Sequence, residues 1–225
     1  ARSRGLGDVY KRQAKEVEVQ FPMPLLKFPK VWPELSNKHV LVMEHIKAPT
    51  LESRLSNQNL SWDNLLQLFR IHGAFMFGIG TFHGDLHPGN AMVNEDGMFT
   101  FIDTGAISHA PESVRSALFG FFYYLAKGEL EDAFEAMLTM ADTPPTGEAK
   151  ARYMREMHET YAGFVGKSVS EVSLTQQMMK TVRIAVLAGC RFGEEAFPII
   201  RSLMYMDGMV PVSYTHLTLP TIREV

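Results

Sequence analysis

Cysteine is nearly absent: Cys190 is the only one in 225 residues. A disulfide framework within the chain is therefore excluded, and a reducing, cytoplasmic setting is the simple reading. Cys190 sits in an apolar stretch (VLAGC) and reads as a small core residue. Long hydrophobic runs are also missing. None reaches the roughly 18 residues of a membrane span. The longest, around 119–126 (FGFFYYLA), reads as a buried helix. Nor is there a surplus of charge: 22 Lys and Arg stand against 25 Asp and Glu, a net of −3. That leaves no electrostatic ground for a nucleic-acid partner. Internal repeats and low-complexity tracts are lacking. What is present is a chain 46% hydrophobic, able to bury a core in one large or two small domains. Its 14 methionines, Met178 and Met179 among them, read as core filler.

The two ends stand apart. ARSRGLGDVYKRQ and VSYTHLTLPTIREV resemble translated sequencing-adapter tails, so 1–13 and 212–225 are expected to be non-native. Between them, prolines 22, 24, 29 and 33 keep 21–35 irregular or extended. KHVLVMEHI (38–46) is a dense apolar run of strand length and reads as a buried strand ended by Pro49. Ser61 is a good N-cap for a helix from Trp62 to about Gly78 or Gly80, with Leu65, Leu68, Phe69, His72, Phe75 and Met76 at helical spacing. AMVN and MFTFID read as two short strands around an Asn94–Gly97 turn. Pro111 opens a helix that Gly128 stops. Further helices are expected over 129–141, 147–163, from the capping box SLTQ (173–176) to about Ala188, and from Pro198 to near Gly208.

The chemistry concentrates in FHGDLHPGNAMVNEDGMFTFIDTGAIS (82–108). Asp85 and Asn90 are five positions apart, and Asp103 lies thirteen beyond Asn90 at the end of an apolar strand. Phosphoryl transfer from ATP needs a carboxylate that orients or deprotonates the attacking hydroxyl. It also needs oxygen ligands to hold Mg2+ against the phosphates. Magnesium is a hard cation, so Asp carboxylates and an Asn carbonyl suit it. A D-x-x-x-x-N loop followed by a hairpin that ends in Asp-x-Gly is the arrangement of kinase-like catalytic loops. The hairpin brings Asp103 back beside Asn90, and Gly105 lets the chain turn beyond it. His83 reads as a structural residue that fixes the loop backbone. With His87 it has the spacing of a zinc pair, but a third soft ligand is lacking and Pro88-Gly89 argues for a tight loop.

HGDLHPGN and FIDTGAIS resemble the UbiB/ADCK family of atypical kinase-like proteins, whose loop usually reads HADPHPGN and whose metal segment reads DFG. FPKVWPELSNKHVLVMEHI is similar to that family's two strands leading into the nucleotide hinge. FRIHGAFMFGIGTFHGD is similar to its helix entering the catalytic loop, and LFGFFYYLAKGELEDAFEAMLTMAD and FPIIRSLMYMDGMV to its later helices. The resemblance covers roughly 25–210. It implies an α+β, protein-kinase-like fold: an N-lobe remnant over 14–43 ending in the hinge strand, then a mostly helical C-lobe over 44–211. It also implies that Asp85 is the catalytic aspartate and that Asn90 and Asp103 are the metal ligands. Met43 then takes the gatekeeper position and Glu44 the first hinge position. Backbone of Glu44, His45 and Ile46 is expected to meet adenine. ATP and Mg2+ are the implied cofactors. Quinone or lipid precursors at a membrane surface are the implied partners, in isoprenoid-quinone (ubiquinone) biosynthesis. Three positions depart from the pattern: Gly84 for Ala, Leu86 for Pro and Thr104 for Phe. The family's nucleotide-binding lysine, its glutamate partner, its phosphate-covering loop and its KxGQ helix would precede residue 25 and are not matched, nor is its C-terminal membrane-anchoring segment. The chain is therefore expected to be a fragment, with little or no ATPase activity by itself.

Two other readings compete. HGDLHPGN is also at home in aminoglycoside- and choline-type phosphotransferases, but these place acidic substrate-binding residues in the helices after Asp103. Here those helices are apolar and aromatic. A catalytically silent pseudokinase scaffold is the third reading, and the Thr104 departure allows it.

Overall fold

The computed structural model describes residues 25–37, 39–103, 105–163 and 174–214. Most of the tail expectations, Thr104 and the Ser173 cap lie outside the described residues. The order of elements is β1 (Leu26–Lys27), α1 (Leu51–Ser56), α2 (Trp62–Gly73), β2 (Thr81–His83), β3 (Ala91–Val93), β4 (Phe99–Phe101) and β5 (Ile107–His109). The helices α3 (Glu112–Lys127), α4 (Leu130–Leu138), α5 (Gly147–Tyr161), α6 (Leu174–Leu187) and α7 (Ala196–Tyr214) follow. This is the expected α+β arrangement, mostly helical with a polar hairpin set into it.

Local chemistry explains most boundaries. Ser61 caps α2 by accepting from the Asn64 amide at 3.1 Å. The helix then widens into a π turn over Ala74–Ile79 and stops at Gly80, whose φ of 81° suits glycine. The π turn leaves carbonyls without helical partners, and Arg115 of α3 donates from Nη1 to those of Phe77 (3.0 Å) and Gly78 (2.9 Å). Leu65, Leu68, His72, Phe75 and Met76 are buried on one face, as their spacing requires. Gly128, at φ 76°, ends α3. α4 then packs back against α3 so closely that a Cβ added to Gly120 would lie 3.4 Å from Ala136 Cβ.

Three expectations need correction. Among residues 39–46 there is no buried strand. Val40 and Leu41 are about half exposed, and only Met43 forms a bridge, to Val31. The facing segment is the reason. Pro29 and Pro33 bracket it and supply no N–H, so pairing stops after Glu44 N to Lys30 O (2.7 Å) and Trp32 N to Val42 O (3.0 Å). The last helix begins at Ala196, two residues before Pro198, because a first-turn N–H has no helical acceptor to lose. It also runs through Gly208 to Tyr214, carried by the buried Met206, Met209 and Val210. The run 119–126 is buried on one face only: Phe121 and Leu125 are inside, while Phe119 and Tyr123 are exposed and stacked. Met178 is buried but Met179 is exposed; Cys190 is buried.

β3 and β4 form an antiparallel hairpin, and β1 lies parallel to β4 at its outer edge. β2 pairs with β5 in a separate two-stranded ribbon. Phe82, Leu86, Val93, Phe99 and Phe101 of these loops and strands share one apolar core with Leu65, Leu68 and Phe75 of the long helix. The polar loop 83–90 therefore rests on a rigid apolar floor. No helix among the described residues is long and apolar enough to cross a membrane.

Candidate functional site

The loop after β2 is built from its own side chains. His83 is fully buried, and its Nδ1 accepts the Asp85 amide at 3.3 Å. Burial holds its pKa below the ordinary histidine value, while the Asp103 backbone and the carboxylates of Asp103 and Asp85 pull the other way. His87 caps the 3-10 turn Pro88–Asn90, with Nδ1 accepting from the Gly89 amide at 3.1 Å. Both imidazoles spend a ring nitrogen on loop backbone, which is the structural role expected of His83 and argues against a zinc pair.

Hydrogen bonds tie Asn90 to Asp85 and to Ile102, the residue before Asp103. Asn90 is buried, and its Nδ2 donates to the Asp85 carbonyl at 3.0 Å. That fixes the amide orientation by committing Nδ2 to the loop. The β3–β4 register sets Ala91 opposite Phe101, and the Ile102 amide donates to the Asn90 carbonyl at 3.1 Å. Asp103 follows one residue later, exposed, with Oδ1 accepting the Gly105 amide at 3.0 Å. The Asp85 and Asp103 carboxylates and the Asn90 amide oxygen are hard donors of the kind magnesium prefers. Among the described residues no three His, Cys, Asp or Glu side chains cluster to hold a metal, so a magnesium reading depends on the Asn90 oxygen joining the two carboxylates.

The hinge candidates sit apart in the first segment. Met43 is half-buried. Glu44 is tied down: Oε1 meets Lys27 Nζ at 2.7 Å and Oε2 accepts the Lys30 amide at 3.1 Å. The Lys27 hydrogen bond is the main reason its pKa lies below the usual carboxylate value. The exposed His45 and the half-buried Ile46 make no backbone hydrogen bond among the described residues, which leaves their N–H and C=O groups open to a ligand edge.

The departures from the family's loop pattern have local causes. A Cβ on Gly84 would meet Ser108 Oγ, with Ser108 Cβ at 2.9 Å and the Ala106 carbonyl at 3.0 Å. Gly84 is thus the partner of Ser108 on β5. Gly84→Ala is expected to cost about 1–3 kcal/mol in urea unfolding through overpacking. Ser108→Gly in the same chain is expected to recover most of it, a coupling that a double-mutant cycle reads directly. Leu86, at the usual proline position, is fully buried and anchors the loop to the core.

One group of contacts had no local signal in the sequence. Arg201 of α7 donates from Nε (2.9 Å) and Nη2 (2.6 Å) to the Gly84 carbonyl, and its Nε lies 4.0 Å from Asp85 Oδ1. Ser202 Oγ donates to the His83 carbonyl (3.3 Å) and lies 2.7 Å from His72 Nε2. The hydrogen-bonded partners are 117 to 130 residues apart in sequence, beyond the reach of any spacing rule.

Comparison with known proteins agrees with this arrangement. Residues 11–137 match the family model described as the ABC1 atypical kinase-like domain. An uncharacterised aarF domain-containing protein kinase of Arabidopsis thaliana, described as chloroplastic, is 22% identical over 87% of this chain and 40% of its own length. A probable protein kinase UbiB of Histophilus somni is 23% identical over 87% of this chain and 37% of its own. The chain thus spans about two fifths of the length of these relatives. Among solved structures, the Rv3197–erythromycin complex from Mycobacterium tuberculosis aligns with a TM-score of 0.54 at 16% identity, covering 91% of this chain and 54% of that one. At that identity the likeness speaks for the fold. The family match also favours the UbiB/ADCK resemblance over the aminoglycoside- and choline-type alternative.

Proposed function

Because the chain belongs to the ABC1 atypical kinase-like domain family, we propose that Asp85, Asn90 and Asp103 form a Mg-ATP site used for phosphoryl transfer or ATP hydrolysis. The observation that carries this reading is the double tie on Asn90. Its side chain is fixed to the Asp85 carbonyl and its backbone to Ile102, beside Asp103. Bound Mg2+ would supply positive charge that offsets the phosphates. Asn90 Oδ1 and the Asp103 carboxylate are its ligands in this reading. The half-buried Asp85 carboxylate orients the attacking hydroxyl or water and takes its proton. The Glu44 carbonyl, whose own amide is taken by Lys30, and the open backbone of His45 and Ile46 pair with the adenine edge, beside Met43.

The finer reading is a place in isoprenoid-quinone biosynthesis at a membrane surface, with a quinone or lipid precursor as partner. Relatives named UbiB support it. So does an open groove of about 750 Å3 beside α3, where Phe77, Phe119, Tyr123 and Tyr124 offer a planar ligand aromatic contact next to the polar Glu112, Arg115 and Ser116.

The test is a titration of a fluorescent ATP analogue into the chain with Mg2+ and with EDTA. Saturable binding that weakens on chelation is expected. Equal affinity in both conditions would remove magnesium from the reading and favour the silent scaffold.

A further inference from the structure

The peptide unit that carries Asp85 is clamped at both ends. Its N–H, on Asp85, is taken by His83 Nδ1. Its carbonyl, on Gly84, is taken by the two-pronged Arg201 guanidinium. The preceding carbonyl, on His83, is taken by Ser202. One turn further along α7, the Tyr205 ring meets His87 edge-on at 6.1 Å between centroids. Three side chains from one helix therefore hold the loop 83–87. The Asp85 carbonyl in turn accepts from the His87 amide (2.8 Å) and Asn90 Nδ2. The 84–85 plane is one of the two peptide planes that meet at the Asp85 Cα, so fixing it helps to place the Asp85 carbonyl on which the Asn90 amide is held.

We propose that Arg201 is a positioning residue for this site: by pinning the Gly84 carbonyl it sets the direction of the Asp85 carboxylate and, through the Asp85 carbonyl, of Asn90 Oδ1. The proposal rests on the reading of 85, 90 and 103 as a Mg-nucleotide site. It adds to it an element, α7, that lies outside the 11–137 segment matched by the family model. The chemistry favours arginine. A planar guanidinium can place two parallel N–H groups on one carbonyl and still approach a carboxylate, whereas an ammonium offers one point contact. Half of the Arg201 side chain remains exposed, so the clamp forms at the rim of the site, where nucleotide and metal enter.

The experiment uses Arg201→Ala and Arg201→Lys in the full chain, with two readouts. The first is amide hydrogen exchange without nucleotide. Loss of a charge-assisted clamp is expected to speed exchange at Asp85, His87 and Asn90 about tenfold or more, with the β3–β4 amides unchanged. The second is the Mg2+ concentration that gives half-maximal nucleotide binding. Replacing partners behind metal ligands typically costs about 10–100-fold in metal affinity, so a rise of that order is expected. Arg201→Lys should restore part of both, because the charge remains while the fork is lost. Loop exchange at the wild-type rate in Arg201→Ala overturns the proposal, as does an equal increase throughout the chain. An unshifted Mg2+ midpoint overturns it too. If Arg201→Ala does not fold, Arg201→Gln, which keeps a planar donor without charge, is read the same way. The exchange readout contains no nucleotide. Failure of the Mg-ATP reading therefore shows separately, as a wild-type chain that does not respond to magnesium.

Discussion

Asp103→Asn is expected to abolish the magnesium dependence of nucleotide affinity. The substitution is isosteric, and the asparagine Oδ1 can still accept the Gly105 amide that Asp103 Oδ1 holds now at 3.0 Å. Asp103 is exposed and lies outside the apolar core, so its loss should leave the fold intact. What disappears is one negative charge and one anionic oxygen facing the cation. Replacing groups that merely support metal ligands typically costs 10–100-fold in metal affinity, so replacing a ligand should cost about 100-fold or more. The measurement is the ratio of nucleotide affinities with Mg2+ and with EDTA. That ratio should collapse to about one in the variant. Asp85→Asn makes the contrast. Its assigned work is on the attacking group, so the magnesium ratio should persist while turnover of the intact protein falls. A variant at Asp103 that keeps the wild-type ratio would mean that the charge there does not hold the ion.

Where the chain could be read from sequence, the determining contacts are short in range. Ser61 starts α2 and Gly128 ends α3 because capping is decided within one turn. The Asn94–Gly97 turn closes the β3–β4 hairpin for the same reason: Asn94 Oδ1 accepts the Met98 amide and Gly97 takes φ 77°. The hairpin then carries Asp103 back to Asn90, so the candidate site was legible as soon as the hairpin was. α1 was missed although Thr50 caps it by accepting the Ser53 amide. Six residues are too few for an apolar period to show. Residues 38–46 misled because β-branched composition reports fitness for a sheet surface, and at the described residues of that run there is almost no sheet to fit. The clamp from α7 was invisible for a different reason. Arg201 and Ser202 sit on a helix whose pattern is satisfied without them, and the loop groups they hold are the Gly84 and His83 carbonyls, which leave no trace in a sequence.

The same helix explains a pH dependence of stability. His72 is buried in α2 with its ring edge-on to Phe82, and its Nε2 lies 2.7 Å from Ser202 Oγ. Ser202 donates to the His83 carbonyl, so it accepts from His72, which places the imidazole proton on Nε2. Nδ1 has no partner. Burial, with a smaller contribution from nearby His83, lowers the His72 pKa from 6.5 to about 3. The folded chain therefore holds this ring neutral, while the unfolded chain protonates it below pH 6.5. Stability from this group is full above the unfolded pKa and is lost as pH falls towards the folded one. Between pH 7 and pH 5 the loss is about 2 kcal/mol, at about 1.4 kcal/mol per pKa unit. His83, also lowered by burial, acts in the same direction. Glu44, lowered from 4.5, contributes only below that window. Urea unfolding of wild type and His72→Gln at the two pH values is the measurement. The glutamine amide can still reach Ser202 but does not titrate, so the variant should lose about 2 kcal/mol less than wild type on acidification, whatever its stability at pH 7. Equal losses in the two proteins would mean that the buried ring finds a proton acceptor in the folded state. The arrangement of His72, Ser202 and the His83 carbonyl that joins α2, α7 and the loop would then be wrong.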